Sequence, residues 1–270
     1  MTPALPRRLQ RCAWVLCLFT GMLASGCASL TAVLEEPRLP PEDPAAAAEA
    51  LSLVERLRTA NSGLTTTKGL GRLTVRHGDR LQIDERMAWV GAPPLRLSVV
   101  IFAAGFPALR MAGDGEWLYY QDGQGAGAPV KRIRSSDPDL QRILSIPIQT
   151  SDIIALISGR LPIKEHTTAR VVPVDSGRGH ALQLLKGRQV RQTVFFDEAM
   201  SDARQMQVFD SGALLYQADF VEMQRVGRYR VPLRLVISNA AGTSVQLVVE
   251  RYWADVPVSP EMFVLAAPNP

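Results

Sequence analysis

The three histidines, His77, His166 and His180, are the side chains best suited to move a proton near neutral pH, and each sits beside a turn or a polar stretch. No Gly-x-Ser-x-Gly elbow raises a serine to be activated by one of them. No His, Cys or carboxylate spacing makes a metal shell. Gly123-Gln124-Gly125-Ala126-Gly127 has the glycines of a phosphate-gripping loop, but neither its lysine nor the helix that should follow. Asp84-Glu85 and Asp197-Glu198 are adjacent carboxylates. Neighbours on a strand face opposite ways, so neither doublet makes an acid/base pair by itself. The sequence therefore predicts no enzyme, no cofactor and no metal. A hydrolase would need a histidine brought beside a serine and a carboxylate from far along the chain.

One cysteine stands in a context that specifies chemistry. Arg7, Arg8 and Arg11 precede an apolar stretch from Ala13 to Ala24, the basic and hydrophobic regions of a bacterial export signal. The stretch is short for a permanent membrane span. Leu23-Ala24-Ser25-Gly26-Cys27 ends it and resembles a lipobox. The resemblance implies cleavage before Cys27, which then carries a thioether-linked diacylglycerol and an N-acyl chain such as palmitate. Two or more chains hold a protein durably at a bilayer, where one holds it marginally. Residues 1–26 are thus read as signal peptide and 27–48 as lipidated cysteine plus tether, with the folded domain over 49–270. Ala28-Ser29 carries no inner-membrane retention aspartate, which points to the outer membrane with the domain facing the periplasm.

Removing the signal changes the electrostatics. The chain has 30 basic and 26 acidic residues, and the three signal arginines leave 27 against 26. The mature charge is close to +1, so nucleic-acid binding is not expected. The densest basic cluster, Lys131-Arg132-Ile133-Arg134, lacks interleaved aromatics and reads as a solvated loop or strand end. Cys12 and Cys17 leave with the signal, so the domain has no intramolecular disulfide to draw on. It must be held by packing, for which roughly 220 residues suffice.

Glu35-Glu36-Pro37, Pro40-Pro41 and Pro44 mark the tether. From Ala45 to Asn61, Leu51, Val54 and Leu57, with Ala50 and Leu53, predict an amphipathic helix. Period-two patterns then dominate, over Gly69–Val75, Arg80–Val90, Leu95–Phe102, Ala108–Met111 and Trp117–Tyr120. Asp137-Pro138 predicts a helix start, with Asp137 as cap, and Ser151 or Asp152 a second through Ile157. Strands resume over Ala169–Val174, Ala181–Leu185, Gln189–Phe196, Ala203–Phe209, Leu214–Val226, Leu233–Ser238 and Ser244–Tyr252. Asp175-Ser176-Gly177, Asp210-Ser211-Gly212 and Asn239–Gly242 read as turns. The expected fold is mainly β: one strongly curved antiparallel sheet of about eleven strands, an open half-barrel, covered by short helices as a lid.

The chain resembles the bacterial LolA/LolB-like lipoprotein-carrier superfamily and its outer-membrane lipoproteins. The resemblance rests on the Cys27 tether, Leu64–Val75 opening the sheet, Ile153-Ile154-Ala155-Leu156-Ile157-Ser158-Gly159-Arg160-Leu161-Pro162, and Trp253-Ala254-Asp255-Val256-Pro257 through Pro260–Leu265. It spans roughly residues 49–267. It implies a twisted sheet closed by helices over an apolar cavity that accepts acyl chains of lipoproteins or phospholipids. Candidates to line such a cavity are Met87, Trp89, Val99, Ile101, Phe102, Phe106, Leu109, Trp117, Tyr119, Ile154 and Ile157. The family's receptor also presents an apolar residue on a protruding loop, and the Gly123–Pro129 loop has no bulky apolar side chain. Expected partners are acyl chains, the membrane through the N-terminal lipid, and a periplasmic carrier or envelope-complex protein. The alternative is a non-catalytic structural or assembly lipoprotein that binds a protein partner.

Overall fold

The structure, a computed structural model, describes residues 44–123, 128–174 and 179–265. The signal, Cys27 and the tether up to residue 43 lie outside the described residues, as does the Asp175-Ser176-Gly177 turn. The first element is α1, Pro44–Thr59. Its buried stripe is Ala50, Leu53, Val54 and Leu57, at the i, i+3, i+4, i+7 spacing of one helical face. Leu51 falls off that face and is exposed.

Two antiparallel meanders follow. The first contains β1 (Thr67–His77), β2 (Arg80–Ala92), β3 (Arg96–Ala103), β4 (Phe106–Gly113), β5 (Trp117–Asp122) and β6 (Lys131–Arg134). The second contains β7 (Thr168–Pro173), β8 (His180–Lys186), β9 (Gln189–Phe196), β10 (Ala203–Asp210), β11 (Ala213–Val226), β12 (Tyr229–Ser238) and β13 (Thr243–Ala254). Pairing of β1 with β13 joins them into one sheet ordered β6-β5-β4-β3-β2-β1-β13-β12-β11-β10-β9-β8-β7. The segment from β6 to β7 must therefore cross from one edge of the sheet to the other. It carries α2 (Gln141–Leu144) and α3 (Thr150–Ile157) as it does so.

The strongly curved half-barrel of about eleven strands is corrected by this topology. The sheet has thirteen strands and is not strongly curled or closed: its order is one linear ladder that ends at β6 and β7. Twist accumulates across many strands, and bulges relieve it locally. Register shifts occur at Leu70/Gly71, Val75/Arg76, Ile101/Phe102, Leu184/Leu185 and Val208/Phe209, spread through both meanders. The basic cluster Lys131–Arg134 is itself the edge strand β6, with all four residues exposed. Charge on an edge strand discourages another chain from pairing there.

Asp137 caps a helix, but not the one its position suggests. Its Oδ1 accepts from the Ser151 backbone N–H at 2.8 Å and its Oδ2 from the Ser151 hydroxyl at 2.7 Å, which satisfies the first turn of α3. Gln141 N–H donates instead to Asp139 Oδ1. The core lies on the sheet face turned toward α1 and α3. Trp89 is its largest side chain, edge-on to Tyr252 with ring centroids 6.1 Å apart. A Cβ on Gly69 would lie 2.0 Å from the Trp89 ring, so glycine there is what admits the indole. Arg160 donates to the carbonyls of Asn61, Ser62 and Leu64, pinning the chain just after α1 to the chain just after α3.

Candidate functional site

Most of the proposed cavity residues are core. Met87, Trp89, Ile101, Ile154 and Ile157 are buried in a single cluster, with Val99 and Leu109 packed against it. Phe102, Trp117 and Tyr119 are half-buried. Tyr119 donates to Asp114 Oδ2, and Trp117 lies under Arg132 at 4.9 Å. None of these residues lines a described pocket. Phe106 alone stands out in solvent, 67 % exposed.

The local sequence explains that position. Val99 to Leu109 reads Val-Val-Ile-Phe-Ala-Ala-Gly-Phe-Pro-Ala-Leu, without a polar side chain. Ala103 pairs with Phe106, so Ala104-Gly105 forms a two-residue hairpin loop. Both loop residues have positive φ, 50° and 85°, as the tight turn favoured by twisted strands requires. The tip therefore projects Phe106 without any covering element. Register places the β3–β4 tip at the same end of the strands as the β1–β2 turn, where Leu81 is 52 % exposed. Lys131, which opens β6 at that end, lies over the Tyr120 ring at 5.4 Å. The result is an apolar projection at a sheet end that also carries Lys131.

A small crevice of ≈ 170 Å³ opens between the C-terminal end of α1 and β10–β12. Leu57, Leu161, Phe220 and Met223 make its apolar part, and Arg56, Arg204, Asp202 and Arg230 its rim. Arg230 is ion-paired with Asp202, and Arg56 donates to the Met200 carbonyl.

Sequence reasoning missed one buried polar cluster. Lys164 Nζ lies 2.8 and 2.6 Å from the two oxygens of Asp152, and Tyr216 donates to Asp152 Oδ2 at 2.7 Å. Burial, with Asp152 beside it, pushes the Tyr216 phenol well above its ordinary value. The cluster binds α3 to β11, and it borders a cleft of ≈ 460 Å³. Its members are separated widely in sequence, so no spacing signals it.

The histidines stay apart. His77 Nδ1 pairs with Thr243 Oγ1 and His166 Nδ1 with the Lys164 carbonyl. Among the described residues no hydrogen bond joins a histidine to a serine or carboxylate, and no group of His, Cys, Asp or Glu is placed to hold a metal. Nor is any described helix long and apolar enough to cross a membrane.

No protein-family model matches the chain, and no curated protein matches it in sequence. Solved structures do match in fold. A DUF1329 family protein from Desulfovibrio piger superposes with a TM-score of 0.57 at 11 % identity, over 81 % of this chain and 97 % of that one. A LolA superfamily protein from Nitrosomonas europaea gives 0.55 at 14 % identity, over 80 % and 97 %. At such identities the likeness is one of architecture: this chain has the fold of LolA-superfamily structures.

Proposed function

We propose that the chain is a non-enzymatic lipoprotein of the outer membrane, tethered through Cys27 with its domain in the periplasm, and that it binds or hands over acyl chains of lipoproteins or lipids. Residues 1–26 are the export signal, and the lipidated tether runs from Cys27 to the start of α1 at Pro44. The observation that carries the reading is the β3–β4 tip, where Phe106 is held in water on an apolar hairpin. An aromatic displayed on a hairpin tip contributes little to the core and is available for apolar contact. The likeness to a LolA-superfamily fold supports the same reading.

The test is native mass spectrometry with lipid extraction on the Cys27→Ala protein from a bacterial host. Stoichiometric phospholipid or lipopeptide supports carriage. An apo protein that fails to compete for a fluorescent acyl probe overturns it. A second reading, an assembly lipoprotein that docks a protein partner, is favoured by the filled core. That reading predicts a clean apo protein that still cross-links to a defined protein partner.

A further inference from the structure

The face of β7–β10 turned away from α1 and α3 holds a groove of ≈ 690 Å³, the largest of the described pockets. Its floor is a row across three strands. Gln183 of β8 sits opposite Thr193 of β9, and Thr193 opposite Gln207 of β10. Directly opposed residues share a face, about 4.7–4.9 Å apart in the hydrogen-bonding direction. Phe195 lies two residues beyond Thr193 and Phe209 two beyond Gln207 on the antiparallel neighbour. The rings thus flank the row on opposite sides, roughly 13 Å apart along the strands.

Two features make this more than an ordinary sheet surface. None of the thirteen described lining residues is charged, although 21 % of the chain is. The row also carries polar atoms left to water. Thr193 is 5 % exposed as a residue, but its hydroxyl is not among the buried polar atoms shut off from a partner, and the residue lines the groove.

The flanking amides are set by charged neighbours. Arg170, which can only donate, holds Gln183 Oε1 at 3.0 and 2.8 Å, which turns the Gln183 amide NH₂ toward the groove. Asp219, which accepts when ionised, takes the Gln217 amide NH₂ at 2.9 Å. Gln217 Oε1 therefore accepts from Gln207 Nε2, at 2.9 Å, and Gln207 Oε1 is left unused. The floor presents a donor, a hydroxyl able to do both, and an acceptor, in that order and already oriented. Orientation before binding lowers the cost of binding.

We infer that this groove binds an uncharged glycan chain. Sugar hydroxyls both donate and accept, so they satisfy the row in either sense, and the apolar faces of pyranose rings pack on Phe195 and Phe209. The described cations beside the groove, Arg170 and Arg191, are engaged by Gln183 and Asp210 rather than offered to an acidic head group, and a bare acyl chain would cover the Thr193 hydroxyl without giving it a partner. The site is independent of the acyl reading, because it lies on the opposite face from the core and far from Phe106.

The test is calorimetric titration of the full chain, purified in detergent from a bacterial host, with N-acetylglucosamine tetrasaccharide and with maltotetraose. Saturable binding to either is expected. Thr193→Val should weaken it about three- to tenfold at unchanged Tm, and Phe195→Ala by a similar factor. Phe106→Glu should leave it untouched. Absence of binding by both sugars at millimolar concentration overturns the assignment. So does tighter binding of an uncharged extended peptide, or equal affinity of wild type and Thr193→Val.

Discussion

Replacing Phe106 tests the proposed role where it is most exposed to failure. Complete burial of a phenylalanine side chain contributes about 1.5–3 kcal/mol. Phe106 is already one-third covered by its own hairpin and 67 % exposed. Contact with an acyl chain or bilayer therefore removes the remaining two-thirds from water, worth about 1–2 kcal/mol. That corresponds to a factor of about 5–30 in an equilibrium or transfer rate. Phe106→Ala should lose most of it, and Phe106→Glu more, since a carboxylate is repelled from an apolar medium. The assay is partition of a fluorescent diacyl lipopeptide from the purified protein to liposomes, followed by dequenching. Stability is the control, because a solvent-facing tip position moves stability by no more than about 0.5 kcal/mol. Transfer within twofold of wild type in both variants, with Tm unchanged, would refute the argument that this side chain is displayed for apolar contact.

Lys164→Met leaves Asp152 buried beside Tyr216 without its cation; the Lys164 side chain is only 23 % exposed and that of Asp152 4 %. The expected loss is about 3 kcal/mol, a Tm drop of roughly 6–12 °C, and a shift under about 2 °C would show that α3 is held by packing alone. Asp84, Asp197 and Asp255 have carboxyls held below the ordinary aspartate value, chiefly by side-chain bonds from Arg72, Ser201 and Tyr229 respectively. Depressed folded pKa values give stability that is fully present above about pH 3.9 and is lost as pH falls through the folded values. Asp255→Asn should flatten that acid limb in a pH–Tm series, and an unchanged limb would remove Asp255 from the account.

Twelve of the thirteen strands fall in ranges that the sequence marks as extended, by alternation in β1 and β13 and by apolar runs between turn residues in β4, β8 and β9. β6 does not, because Lys131-Arg132-Ile133-Arg134 is exposed on every side chain, so burial leaves no period to detect. The apolar count identified the core without saying which side chains fill it. Met87 and Phe106 look alike in sequence, yet one lies under α3's side of the sheet and the other on a turn. What separates them is the Ala104-Gly105 turn, a cue weaker than Asn-Gly or Asp-Gly. The shape of the sheet was not legible at all. Curling depends on summed twist and on where bulges discharge it, and neither is written in any one strand. The polar row of the outer groove is equally hidden, because Gln183, Thr193 and Gln207 meet only through register.

A filled core still admits an acyl chain if something apolar moves aside, and α1 is the element best placed to do so. Its C-terminal end is fixed where Arg160 binds the Asn61, Ser62 and Leu64 carbonyls, and Asn61 Nδ2 donates to the Ser158 carbonyl. Along its length it is held by Ala50, Leu53, Val54 and Leu57. Exposing those four side chains costs about 6 kcal/mol. At about 0.8 kcal/mol for each buried methylene, a chain of roughly eight methylenes occupying the same surface offsets that cost. Longer acyl chains then bind with a surplus and shorter ones do not. Binding that waits on a rarely opened state is weakened in proportion to that state's rarity. Leu53→Ala, by loosening α1 by about 2 kcal/mol, should therefore tighten acyl binding by about 30-fold while lowering Tm. A variant that loses stability and gains no affinity for a long-chain probe would mean that acyl chains do not enter beneath α1.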